Sequence, residues 1–209
     1  MQSHPTFTIE SELPSYPGIG HVIGALGLQE TLLVNLLATT FPQQKSSGIT
    51  EIALLKISRK GRAFGLSTLI NPENPISLYV ANSLGISEAD VADAFNWPAF
   101  LKKSGYHWLK YSLSGFNIRH YDKPYIEDQN KRYNITYTLS AKVIDIKQIC
   151  MSLHPGTQGT LNHYCALYGL GDTAKHRAMP QALLTARLFE ALIDAHGAAA
   201  VVALLTPHD

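Results

Sequence analysis

The chain has 209 residues, 45 % hydrophobic and 16 % charged, with a formal net charge of +1. That size suits one domain with a sizeable core, or one domain plus a short extension, and the charge balance excludes a globally basic nucleic-acid binder. Two cysteines without metal-ligand spacing exclude a disulfide framework and fit a reducing, cytoplasmic setting, and no apolar run reaches the roughly 18–20 residues of a bilayer span.

Residues 1–30 contain Pro5, Pro14 and Pro17 and glycines at 18, 20, 24 and 27, which predicts an extended arm with one short element. Such an arm either packs on the domain or a partner, or stays disordered. Strands are predicted over 31–37, 50–58 and 62–70; the first two are continuous apolar runs, as for strands buried on both faces. Arg59-Lys60-Gly61 reads as the hairpin turn between the second and third. Ser87, with Asp90 three residues on, predicts a capped helix over 88–93, followed by one over 97–103. A fourth strand is expected over 107–111 and a helix over 116–125. The polar, aromatic stretch 127–141 reads as an irregular loop or a short extra strand pair. A fifth strand over 142–144 leads to helices over 146–153, 160–168, 180–195 and 198–205, with Gly169 and Gly197 closing two of them.

Several segments carry a shared pattern in a fixed order: LLVNLLATTF (32–41), ITEIALLKI (49–57), NPENPISLYVANSLGISEADV (71–91), SLSGFNIRHY (112–121), VIDIKQICMSLHPG (143–156) and HRAMPQALLTARLFEAL (176–192). Together they resemble the DnaQ-like (DEDDh) 3′–5′ exonucleases over about residues 31–205. The resemblance implies an α/β fold of the ribonuclease H-like type, a mixed five-stranded sheet flanked by helices, here spanning 31–209 behind an N-terminal arm of residues 1–30.

It also implies where a two-metal site should lie. Thr39 and Thr40 match the threonine pair of the family's D-x-E-T-T-G, so Leu36 and Ala38 fall on its acidic positions and Phe41 on its glycine. Asn117 stands at the aspartate of H-N-A-x-F-D, with Phe116 kept. His176 matches the catalytic histidine, and Gln181 replaces the last aspartate. Glu51 and Asp145 match acids outside the metal set and read as structural. Asn35 lies one residue out of register, on the opposite face of its strand. Mg²⁺ and Mn²⁺ take oxygen ligands, chiefly carboxylates, and four lost carboxylates predict a vestigial His176 and no bound metal.

The expected function is therefore a catalytically inactive exonuclease-like module that binds nucleic acid or a protein. Arg119 and Arg177 are the candidates for holding a phosphate, and Tyr106, His107, Trp108, Tyr111, Tyr133 and Tyr137 for stacking on single strands. A protein partner would use the arm or the 127–141 insert; no membrane partner is expected. The alternatives are an active 3′–5′ exonuclease with a rebuilt Mg²⁺ or Mn²⁺ site, and a structural subunit of a larger assembly.

Overall fold

The computed structural model describes residues 5–39, 47–172 and 177–206. Its framework is a mixed sheet with the order β1-β4-β3-β2-β5-β6. The strands are β1 (Thr8–Glu10), β2 (Glu30–Ala38), β3 (Ile49–Ser58), β4 (Ala63–Leu69), β5 (Ser112–Gly115) and β6 (Val143–Asp145). β1 to β4 pair antiparallel, while β5 and β6 run parallel to β2. The sheet thus has six strands rather than five, because part of the N-terminal segment adds an edge.

The two central strands are buried on both faces, as their apolar runs predict. Leu33 and Leu37 of β2, with Ala53, Leu55 and Ile57 of β3, face one core. Leu32, Val34, Leu36 and Ala38, with Ile49, Ile52 and Leu54, face the other. The first core is covered by α1 (Pro17–Ala25), α6 (Ile146–Leu153), α7 (Leu161–Leu167), α8 (Ala178–His196) and α9 (Ala198–Leu205). The second is covered by α4 (Trp97–Ser104) and α5 (Asp122–Arg132). Two short helices, α2 (Leu78–Leu84) and α3 (Glu88–Val91), complete the chain.

Residues 1–30, expected as an extended arm with one short element, contain two elements that are integral to the fold. β1 pairs with β4, and α1 buries Ile19, Val22 and Ile23 in the first core. Gly20 makes this packing feasible: a Cβ there would lie 2.8 Å from Arg59 O and from Gly61 N, the backbone of the β3–β4 turn. Glu190 of α8 accepts from the N–H groups of Gly18 and Ile19 at 2.7 and 2.8 Å, capping α1 from a distant part of the chain.

The Arg59-Lys60-Gly61 turn forms as predicted, with Gly61 at φ 76°. Asp90 accepts from the Ser87 N–H at 2.7 Å, though α3 ends at Val91 rather than 93. α6 and α9 occupy the expected ranges.

Two expectations fail between residues 107 and 141, and a third holds only in part. Residues 107–111 are not a strand: Tyr106–Lys110 is a 3₁₀ turn and the strand is Ser112–Gly115. The cause is that consecutive Trp108 and Leu109 both enter the second core, whereas a strand would send them to opposite faces. The next helix starts at Asp122, not 116. Asp145 accepts from the N–H groups of Asn117 and Arg119 at 3.0 and 3.1 Å and holds the intervening backbone in turns, with Asn117 at φ 61°. Residues 127–132 therefore belong to α5, while 133–141 form an irregular loop, the first of the two alternatives expected, and no strand pair.

Candidate functional site

β2 and β5 pair only through Thr31–Ser112 to Leu33–Ser114, then part company. A cleft of about 410 Å³ opens where they diverge, beyond the C-terminal ends of the parallel strands, the usual place for a ligand in such sheets. Asn35, Leu36 and Leu37 of β2, Asn117, Asp122, Lys147 and Gln181 line it, with Leu84, Phe116 and Thr160 at its walls.

Of the four substituted positions expected to mark the metal site, Leu36, Asn117 and Gln181 border this cleft and Ala38 does not. Gln181, in the first turn and a half of α8, faces the cleft, and Asn117 lines it from the β5–α5 turn. Leu36, although it borders the cleft, and Ala38 bury their side chains in the second core, 1 % and 5 % exposed, among the residues on the sheet face opposite α8. The β2 residue that meets Gln181 is Asn35, whose Nδ2 donates to Gln181 Oε1 at 3.4 Å. Asn35 shares its face with Leu33 and Leu37, which pack in the core under α8. With period 2, the β2 positions presented to α8 are thus Asn35 and Leu37, each one residue before the positions inferred from the threonine pair. A β-bulge falls between Leu37 and Ala38, at the end of the matched segment.

Asp122 is the functional candidate that sequence reasoning missed. It is the first residue of α5, five positions beyond Asn117, and is buried in the cleft wall. Its Oδ1 accepts from Leu36 N at 3.0 Å, replacing the ladder bond that β2 loses where β5 turns away. Burial pushes its carboxyl up to about 8, with a smaller contribution from the charge of Asp145; the bonds from the N–H groups of Leu36 and Asp122 itself act the other way. At neutral pH this group is mostly a neutral acid. The signal lay in the sequence as an Asp opening a helix beside a Pro, concealed by the extra turn 117–121.

Asp145 lies beneath the cleft and serves structure. Besides the two bonds already given, its Oδ1 accepts from Lys147 N at 3.1 Å, fixing the start of α6. Glu51 has the same character. It is 4 % exposed and accepts the single Arg177 Nε–H shared between both oxygens at 3.0 Å, which with Nη2 at 2.7 Å and Ala178 N at 2.9 Å makes four contacts. This arrangement caps α8 from β3. Both acids behave as their sequence positions implied.

Neither arginine proposed for phosphate lines the cleft. The Arg177 guanidinium is committed to Glu51, and Arg119 Nη2 donates to Val143 O at 2.9 Å. The cation that does line it is Lys147. Among the residues expected to stack on single strands, Tyr106, Trp108, Tyr111, Tyr133 and Tyr137 are likewise outside the cleft lining, and the His107 side chain is not among those described. Trp108 is buried, Tyr106 stacks on Tyr137 at 4.7 Å, and Tyr133 donates to Glu73. His176, Thr40 and Phe41 lie outside the described residues.

No protein-family model matches the chain. In sequence it is 24 % identical over 171 residues to a PolC-type DNA polymerase III of Caldanaerobacter subterraneus subsp. tengcongensis, a match covering 80 % of this chain and 12 % of the polymerase. In structure it is similar to Exonuclease X in complex with 5′ overhanging duplex DNA, with a TM-score of 0.63 and 18 % identity over 84 % of this chain and 99 % of that one. It is also similar to E. coli Exonuclease I in complex with a dT13 oligonucleotide, with a TM-score of 0.64 and 14 % identity over 79 % of this chain and 41 % of that one. The mixed sheet, its flanking helices and these likenesses give the chain the ribonuclease H-like α/β fold of the DnaQ-like 3′–5′ exonucleases.

Proposed function

We propose that this chain is a catalytically inactive exonuclease-like module that holds a single-stranded nucleic-acid end in the cleft without metal. One observation carries the reading: where β2, α5 and α8 meet, Asn35 and Gln181 are hydrogen-bonded to each other, and Asp122 is the sole acid lining the cleft among the described residues. Two amides and one mostly protonated carboxyl do not fit a pair of Mg²⁺ ions, which need ionised oxygen ligands. The same substitutions remove the negative field that would repel phosphate, and Lys147 adds a positive charge. The solved relatives named above hold DNA, which supports nucleic acid as the occupant. α2 adds a surface for it: Leu84 lines the cleft, while Leu78 and Tyr79 at the other end are 82 % and 72 % exposed.

We assign the protein to the cytoplasm, where the buried thiols of Cys150 and Cys165 would stay reduced. Burial pushes both up, to about 12 and about 11, so they are inert at neutral pH. Among the described residues no single helix is long and apolar enough to cross a membrane.

The test is fluorescence anisotropy with labelled single strands at low salt in EDTA, beside a nuclease assay in Mg²⁺ and Mn²⁺. Binding in EDTA without cleavage is expected. Metal-dependent cleavage abolished by Asp122→Asn or His176→Ala would establish the active alternative instead.

A further inference from the structure

Away from the cleft, three side chains from three helices meet around one oxygen. The phenol of Tyr168 lies 2.8 Å from His154 Nε2 and 2.8 Å from His196 Nε2. The imidazole rings are 6.0 Å apart between centroids and stand at 82° to each other. A phenol donates only one proton, so one histidine accepts from it and the other donates to it through Nε2–H. Two nitrogen donors are thus gathered around one oxygen donor.

The placement of these residues in the fold is as telling as the distances. His154 caps the C-terminus of α6, Tyr168 caps the C-terminus of α7, and His196 is the last residue of α8. Three helix C-termini, each carrying partial negative charge on its terminal carbonyls, therefore converge on the cluster and favour a cation there. Tyr168 and His154 are partly exposed and His196 is exposed, so an ion can enter from solvent. Beneath them, His154 rests against the fully buried Tyr164, at 6.3 Å between ring centroids, which limits how far its ring can swing.

We propose that His154, Tyr168 and His196 form a surface site for one divalent transition-metal ion of the copper–zinc class. The ion binds through the two Nε2 atoms and the phenolate oxygen, with solvent completing its coordination. Imidazole nitrogen suits these ions, while Mg²⁺ demands oxygen ligands and is rejected. With metal–ligand bonds of about 2.0 Å, tetrahedral ligands sit roughly 3.3 Å apart, so each 2.8 Å contact opens by about 0.5 Å and the two imidazoles, 6.0 Å apart between centroids, turn their Nε2 atoms toward each other. The phenol O–H bond breaks on binding and its proton goes to solvent. The histidine that carried Nε2–H moves that proton to Nδ1 through solvent, so one proton is released per ion.

The full-length, untagged chain is titrated with CuSO₄ by calorimetry and visible absorption. One equivalent should bind with a phenolate-to-copper charge-transfer band, ZnCl₂ should compete, and MgCl₂ should not. Tyr168→Phe should abolish the band and weaken binding at least about tenfold, and His196→Ala should weaken it by a similar factor. A wild-type chain without the band, or affinity unchanged in both variants, overturns the site. If circular dichroism shows that a variant is unfolded, the band in the wild-type protein alone decides.

Discussion

Asp122 illustrates how one buried side chain can set a pH dependence. Its folded carboxyl is raised to about 8, while in the unfolded chain it titrates near the ordinary value of about 4. Between these values the folded state binds more protons than the unfolded state, so stability falls as pH rises through the window from about 4 to about 8. Asp122→Asn keeps an oxygen to accept from Leu36 N but cannot ionise. Thermal unfolding between pH 5 and 8 should therefore show the wild type losing on the order of 1 kcal/mol per pH unit relative to this variant. A parallel pair of curves would refute the burial argument. Glu51 makes the opposite point, being buried yet fully bonded. Arg177→Ala strips three of its four contacts and should destabilise by about 2 kcal/mol in urea denaturation. That is less than the roughly 3–5 kcal/mol for wholly buried pairs, since the Arg177 side chain is 41 % exposed and partly screened.

At the level of elements, strand register decides which substitutions matter. Because alternate residues of β2 face different cores, the same acid has opposite consequences at adjacent positions. Leu36→Asp places an ionised group among the apolar side chains of the second core and should abolish folding, seen as loss of the far-ultraviolet dichroism of the wild type. Asn35→Asp is set beside the cleft and should be tolerated. Carried further, the triple variant Asn35→Asp, Leu37→Glu and Gln181→Asp, with Asp122 retained, should gain Mn²⁺ binding measurable by electron paramagnetic resonance. Leu36→Asp with Ala38→Glu should give no folded protein to measure. If the first set gains no Mn²⁺ affinity, the assignment of the cleft-facing register is wrong. Much of this was legible in the sequence: β2, β3, α6, α8 and α9 follow from apolar runs and their terminators. The facing of alternate residues was not, because the whole run is apolar and gives no alternation to read, and a bulge falls between Leu37 and Ala38, just before Thr39.

Across the whole molecule, the N-terminal segment shows how far local composition can mislead. Prolines and glycines there predict an arm, yet α1 places Ile19, Val22 and Ile23 at 0 % exposure against α8 and the first core. Burying such side chains contributes about 1.5–3 kcal/mol each, and three of them rival the net stability of a typical domain, about 5–15 kcal/mol. Removal of residues 1–28 should accordingly leave a chain with no cooperative thermal transition.

The order of motifs, the apolar strands and the helix terminators were enough to dictate an α/β chain of the exonuclease-like type, because those signals are local and accumulate along the sequence. The convergence of Asn35, Asp122 and Gln181, the withdrawal of Leu36 into the opposite core and the meeting of three helix ends at Tyr168 arise only in three dimensions. Each depends on which face of an element is presented, and packing against distant residues alone settles that.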